Sequence, residues 1–236
     1  MRESTIGQAI SEVKDNIRRA CERAGRNADE VTLIAVSKTM PVSDLREAMA
    51  AGMIEFGENR PQELRDKQAE ITEPLHWHMI GSLQTNKLKY VVGKTVLIHS
   101  VDSLHLAEAI EEESVKRGVV SEILLEVNIA GEVSKGGIAP AELEELVRAV
   151  SVLPHVRVRG LMTVAPYTEN AEENREYFRK MKQLMVDINS KNIDNIDMDE
   201  LSMGMTGDYE VAVEEGATLV RVGTGIFGHR VYTKSN

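Results

Sequence analysis

The 236-residue chain predicts an α/β protein, a single-domain (β/α)8 TIM barrel with a leading N-terminal helix. Three observations carry that prediction. Short apolar, β-branched runs recur along the chain at 31–36, 53–57, 75–81, 96–100, 122–128, 156–162, 199–203 and 218–223. The stretches between them repeat their apolar residues at helical spacing. Alternating strands and helices imply parallel strands covered by helices, and eight such units in about 250 residues suit a closed barrel. No Pro-, Gly- or Ser-rich linker interrupts residues 1–236, so the whole chain reads as one domain. A doubly wound open sheet shares the same alternation and is the main rival.

The elements follow in order. Ile6, Ile10, Val13, Ile17 and Ala20 recur at intervals of three and four, which marks the leading helix. VTLIAV is the clearest strand, and DELSM at 199–203 is the weakest. Between 140 and 152, Leu143, Leu146, Val147 and Val150 share one helix face. Pro140 suits a first turn, and Glu142, Glu144 and Glu145 suit the positive end of the helix dipole. Phe178, Met181, Leu184, Met185 and Ile188 form a further stripe within 170–190. Such stripes are read as core faces. The glutamates at 111–113, 172–173 and 214–215 are read as solvated helix faces.

Composition excludes several classes. There are 28 Lys and Arg against 38 Asp and Glu, a net charge of −10. That balance disfavours nucleic acid and anionic membranes as partners, while leaving room for a local basic pocket. One cysteine, Cys21, excludes an intramolecular disulfide and a Cys-rich metal site. It lies on the leading helix and reads as a small buried hydrophobe. No apolar run is long enough to span a bilayer, and the first residues lack a secretory h-region. The expectation is a cytoplasmic protein with no metal.

In a barrel of this kind, function sits at the C-terminal ends of the strands. Three places qualify. Lys38 directly follows the first strand. At a barrel mouth, low dielectric and neighbouring cations favour a neutral amine, which can attack an aldehyde. The alternative is a surface lysine ending a strand. The second place is 201–208, LSMGMTGD, where small residues allow close backbone approach and Ser202 offers a hydroxyl. The alternative there is an ordinary turn with Thr206 or Asp208 capping a helix. The third is 221–228, RVGTGIFG. Its glycines match G-x-G-x-x-G, but the segment does not open a helix within a βαβ unit, so the dinucleotide reading is rejected. A phosphate site built from the loops after strands seven and eight fits better.

An amine after strand one and a phosphate site after strands seven and eight suggest a phosphorylated aldehyde. Pyridoxal 5′-phosphate satisfies both requirements. A cofactor-free Schiff-base aldolase acting on a sugar phosphate satisfies them too. Weaker signals are His76 and His78, which share one strand face without a third ligand beside them, and Lys135 in a glycine-containing loop.

The segments AVSKT, FGENRPQE, WHMIGSLQTNK, EVNIAGEVSKGG, RGLMTVAP and LSMGMTGDYEVAVEEGATLVRVGTGIFG resemble the pyridoxal phosphate homeostasis protein family. The resemblance implies a barrel like the N-terminal domain of alanine racemase. By motif, Lys38 would bear pyridoxal 5′-phosphate as a Schiff base. Ser202, Gly223 and Thr224 would hold its phosphate, and Arg221 would face the pyridine nitrogen. Asn59 would lie beside the ring with Met203 packed near it, and His78 and Met162 would line the mouth. The role implied is cofactor binding in vitamin B6 and amino-acid homeostasis, without an established catalytic set. An arginine partner leaves the ring nitrogen unprotonated and weakens the electron sink. Racemases also need an acid/base on each side of the substrate carbon. Tyr90, Tyr167, Tyr177, Tyr209 and Tyr232 all fall away from the strand ends, Tyr167 least clearly. A pyridoxal-phosphate-dependent amino-acid racemase is the alternative function. The implied partners are the cofactor and, as recipients, pyridoxal-phosphate-dependent apo-enzymes; the protein is expected to be a monomer.

Overall fold

A computed structural model describes residues 4–132 and 135–228. Eight parallel strands close in chain order: β1 (Thr32–Val36), β2 (Glu55–Glu58), β3 (His76–Met79), β4 (Leu97–Val101), β5 (Ser121–Glu126), β6 (Val156–Met162), β7 (Glu200–Met205) and β8 (Leu219–Val222). Pairing of Leu33 with Val220 and of Ala35 with Val222 joins β1 to β8 and excludes the open-sheet rival. All eight strands fall on the apolar runs of the sequence. The weakest run becomes β7 because its small residues allow tight packing. At Gly204, with φ +89°, an added Cβ would lie 2.6 Å from the Ala212 Cβ.

The helices are α1 (Ile6–Ala24), α2 (Val42–Ala50), α3 (Pro61–Glu70), α4 (Leu104–Arg117), α5 (Leu143–Val150), α6 (Arg175–Ser190), α7 (Tyr209–Glu214) and α8 (Thr224–Phe227). The leading helix α1 begins with a Thr5–Gln8 capping box and ends at Gly25 in the left-handed region, φ +66°. Both devices satisfy backbone groups that a helix end leaves open. It packs on α2, α7 and α8 through the predicted stripe, and Cys21 is buried with that stripe. Burial raises the Cys21 thiol pKa. Residues 85–90, between β3 and β4, form a 3-10 segment rather than an α-helix. Among the described residues, no helix is long and apolar enough to cross a membrane.

The two faces of the barrel sheet are packed differently. Leu33, Ala35, Phe56, Ile123, Leu125, Val158 and Met203 point outward into one large apolar layer shared with the helices. Inside the barrel, the apolar filling is small: Ile34, Leu97, Leu124, Met162 and Leu219. The remaining interior is polar, with His78, His99, Ser202 and Arg221 all buried. Alternation along each strand sends neighbours to opposite faces, and so separates the two environments.

Candidate functional site at the barrel mouth

Lys38 lies one residue beyond Ser37, in the turn that leaves β1, and is half-buried. That turn is held on several sides. The Ser37 N–H donates to the Gly57 carbonyl at 3.0 Å. The Ser37 hydroxyl donates to Glu58 Oε1 at 2.6 Å. Lys67 Nζ on α3 donates to the Ser37 carbonyl at 2.7 Å, to Glu58 Oε1 at 2.6 Å and to Glu63 Oε1 at 2.8 Å. The Thr39 N–H donates to the same Glu63 oxygen. Thr39 itself takes φ +64°, a costly conformation for a β-branched residue unless its surroundings impose it. Glu58 is fully buried and its Oε2 finds no partner. Burial raises its carboxyl pKa, with the Lys67 charge opposing.

Asn59 follows β2 and is half-buried. A Cβ at Gly81 would sit 2.5 Å from the Asn59 carbonyl oxygen, so only glycine lets the β3 loop close on that residue. At the other side of the mouth, Gly223 and Thr224 follow β8, Gly223 half-buried and Thr224 exposed. The Gly225 N–H donates to Thr206 Oγ1 at 3.2 Å, which ties the loop after β8 to the loop after β7. Thr206 therefore stitches the two loops rather than capping α7. Asp208 precedes α7 without a side-chain cap, and its carboxylate accepts from Met205 N–H and Asn174 Nδ2.

Arg221 points into the barrel and is 4% exposed. Its Nη1 donates to the Ser202 hydroxyl oxygen and its Nη2 to the Thr163 carbonyl at 2.8 Å. Burial pulls its pKa down to about 10, with the charges of Glu126 and Asp208 opposing; the guanidinium remains cationic at neutral pH. Glu126 ends β5, and burial raises its carboxyl pKa.

The remaining expected site residues lie along β3, β6 and β7. Ser202 is grouped with Arg221 and His99 in the interior, below Gly223 and Thr224. The Met203 side chain lies in the outer layer, because its neighbour Ser202 takes the inward position. His78 is paired across the sheet with Gly57 and Leu97 and reaches toward Glu55 at the start of β2, so it sits in the interior rather than on the rim. Met162 belongs to the inner apolar filling. Lys135 donates to Glu132 at 2.8 Å and to the Ala165 carbonyl at 2.9 Å, bridging the segments after β5 and β6.

His76 and His78 share a strand face as the spacing predicts, and both bind the Glu55 carboxylate, at 2.6 and 2.8 Å. Among the described residues, no group of three His, Cys, Asp or Glu side chains is placed to hold a metal. Tyr209 is buried against α1 and accepts from Asn16 Nδ2 at 2.8 Å; Tyr90 lies between Arg65 and Lys89 on the surface. Tyr167 is 93% exposed beyond β6, and Tyr177 stacks with Lys180. Tyr232 lies outside the described residues. Sequence reasoning read Thr206 only as a helix cap and missed Lys67, Glu58, Glu55 and His99. The signal for His99 was present as a polar residue in a mostly apolar strand. Lys67 carried no signal beyond a helix-face lysine.

The family model for the alanine racemase N-terminal domain matches residues 9–231. A TM-score of 0.68 to the alanine racemase of Corynebacterium glutamicum, at 14% identity over 95% of this chain and 62% of that one, shows the shared fold. The chain is thus a barrel of the alanine racemase N-terminal-domain class. Within that class, it is 46% identical to the pyridoxal phosphate homeostasis protein of Aquifex aeolicus, covering 95% of this chain and 98% of the relative. It is 43% identical to the protein of that name from Pseudomonas aeruginosa, covering 97% of each. PipY of Synechococcus elongatus, solved with PLP bound, matches with a TM-score of 0.79 at 38% identity, covering 90% of this chain and all of PipY. The chain belongs to the pyridoxal phosphate homeostasis protein family.

Proposed function

We propose that the protein binds pyridoxal 5′-phosphate at the barrel mouth through Lys38 and serves intracellular vitamin B6 and amino-acid homeostasis. One observation carries this reading. The lysine turn and the Gly223–Thr224 segment end neighbouring strands, because closure of the barrel sets β1 beside β8. An amine and a set of loop amides are thereby placed at one opening. The donor set suits this ligand. When bound, the cofactor supplies an aldehyde that forms a Schiff base with a primary amine. Gly223 and Thr224, with Thr206 joining their loop to the next, suit its phosphate. Arg221 can only donate, and so matches an unprotonated ring nitrogen. Asn59, fixed by the close approach of Gly81, borders the same opening. Ser202 acts from below by holding Arg221.

The relatives' names describe homeostasis rather than a reaction. The proposed role is accordingly carriage, with apo-enzymes that need the cofactor as recipients, by a cytoplasmic monomer. The Arg221 guanidinium keeps the ring a weak electron sink and so disfavours turnover. The test is the visible spectrum of the purified protein with added cofactor, followed by borohydride reduction and peptide mapping. A yellow protein with the pyridoxyl group on Lys38 is expected. A protein that stays colourless would overturn the assignment. Sustained exchange of amino-acid α-protons in deuterated water would instead overturn the carrier role.

A further inference from the structure

A line of polar side chains runs through the barrel interior, from the start of β2 to the guanidinium below the mouth. Glu55 Oε2 is 2.8 Å from His78 Nε2. His78 Nδ1 is 3.0 Å from His99 Nε2, with the rings edge-on at 74°. His99 Nδ1 is 2.9 Å from the Ser202 hydroxyl, which also accepts from Arg221 Nη1. His78, His99, Ser202 and Arg221 are each at most 4% exposed, so water does not substitute for a missing partner.

Donor and acceptor accounting fixes where the protons lie. A guanidinium only donates and a carboxylate only accepts. Because Arg221 donates to the Ser202 oxygen, the serine proton is available to His99, whose Nδ1 must then be bare. A neutral His99 carries its proton on Nε2 and gives it to His78 Nδ1. A neutral His78 likewise carries its proton on Nε2, where the Glu55 carboxylate accepts it. The assignment is the same when worked from either end. The reverse assignment needs an imidazolium at His78 and leaves the Ser202 proton with no acceptor inside a sealed interior. Burial above all, with the Arg221 guanidinium nearby, also holds the His99 pKa well below its ordinary value.

The geometry points to a one-directional hydrogen-bond relay, Arg221 to Ser202 to His99 to His78 to Glu55, in which Glu55, His78 and His99 are positioning residues for Arg221. Charge resides only at its two ends, a cation below the mouth and a carboxylate near the opposite end of the barrel. The relay keeps the Ser202 hydroxyl oriented as an acceptor for Arg221. It thereby fixes which way the guanidinium presents its remaining donor capacity to the opening. Glu55 also binds His76, whose side chain is 52% exposed, so the far end of the relay meets solvent. That Arg221 meets a cofactor ring rests on the function proposed above; the relay itself does not.

The test begins with the cofactor-free, 15N-labelled protein. Two-bond 1H–15N correlations of the histidine rings at neutral pH report the tautomers, assigned with His78→Gln and His99→Gln. Both rings are expected neutral, with Nε2 protonated and Nδ1 bare. A doubly protonated ring, or Nδ1 protonation in either, would overturn the relay. Next, Glu55→Leu should remove the single tautomer at His78 and His99. Glu55→Gln should restore it, because the amide oxygen still accepts. After addition of pyridoxal 5′-phosphate, Glu55→Leu should shift the visible band and Glu55→Gln should return it toward wild type. Unchanged tautomers in Glu55→Leu would also overturn the relay. If that variant does not fold, the wild-type ring spectra decide alone. Correct tautomers in a wild-type protein that develops no visible band would uphold the relay while removing the cofactor assignment.

Discussion

The outer and inner faces of the same eight strands differ in almost every physical respect. The outer face is aliphatic and aromatic, continuous with eight helices, and contains the largest fully buried side chains, Phe56 and Phe178. The inner face has a small apolar cluster and a polar line ending at Arg221. The contrast shows a division of labour at single-residue resolution. One residue stabilises the sheath and the next orients a group for the mouth, because consecutive strand side chains point to opposite faces. Ser202 and Met203 are the clearest neighbouring pair. The two faces can be separated by the measurement that each one moves.

The largest loss of stability is expected from the outer face. Phe178 is wholly buried on α6, and Phe178→Ala should cost about 3–5 kcal/mol, transfer and cavity together. Chemical denaturation measures it. Below the unfolding transition, the variant should still trap the cofactor on Lys38. Loss of trapping in the folded variant would break the separation of the faces.

Lys67→Met is the next largest and tests the place where the outer layer supports the site. It leaves the Glu58 carboxylate buried without its cation, which should cost about 3 kcal/mol at neutral pH. It also frees the Ser37 carbonyl and the turn that presents Lys38. Unlike Phe178→Ala, this variant should lower both stability and cofactor retention. Adding Glu58→Gln should recover most of the stability, because the uncompensated charge is gone, but not the anchoring of the turn. Equal recovery of stability and retention would show that the clamp has no positioning role.

A third prediction concerns acid. His99 has a depressed pKa in the folded protein and an ordinary one, about 6.5, when unfolded. As pH falls below about 6.5 the unfolded chain takes up a proton that the folded chain does not, so stability declines by up to about 1.4 kcal/mol per pH unit. Glu55 adds to this at lower pH. Burial raises its pKa, but hydrogen bonds from His78 and His76 outweigh that and hold it below its ordinary value. Its contribution is present above the ordinary carboxylate range and lost as pH falls. Denaturation at pH 7 and pH 5.5 should therefore show a smaller pH difference in His99→Gln than in wild type. An unchanged difference would place the acid sensitivity elsewhere.

Most of the fold was legible from residue order, for reasons the two faces explain. All eight strands were visible as short apolar runs, β7 most weakly, because the outer face demands apolar residues at alternate positions. Closure of the barrel was legible only through the count of eight strand–helix units, since the pairing of Leu33 with Val220 leaves no local trace. The positions of Lys38, Gly223 and Thr224 at the mouth were legible because they closely follow strands. Ser202 was singled out for its hydroxyl; its bond to Arg221 inside the barrel depends on strand register and could not be read. Lys67 was invisible, because a helix lysine buried against two carboxylates looks in sequence like any solvated one. The relay was half-legible: Glu55, His78, His99 and Arg221 are polar residues at inward positions, but their mutual distances belong to the closed barrel.

Lys38→Ala should have the smallest effect on stability and the most complete effect on function. The side chain is half-buried, in a turn whose backbone is held by Glu63 and Lys67 and whose Ser37 hydroxyl is held by Glu58. Truncating it leaves those bonds in place, so the cofactor-free variant should unfold within about 0.5–1 kcal/mol of cofactor-free wild type. Borohydride trapping at position 38 should vanish. The comparison must be made without cofactor, because a ligand bound only by the folded state adds stability by mass action and would mimic a structural role. A loss of several kcal/mol in the cofactor-free variant would mean that Lys38 belongs to the supporting clamp. The mouth would then lack the clean boundary between support and chemistry that the rest of the barrel displays.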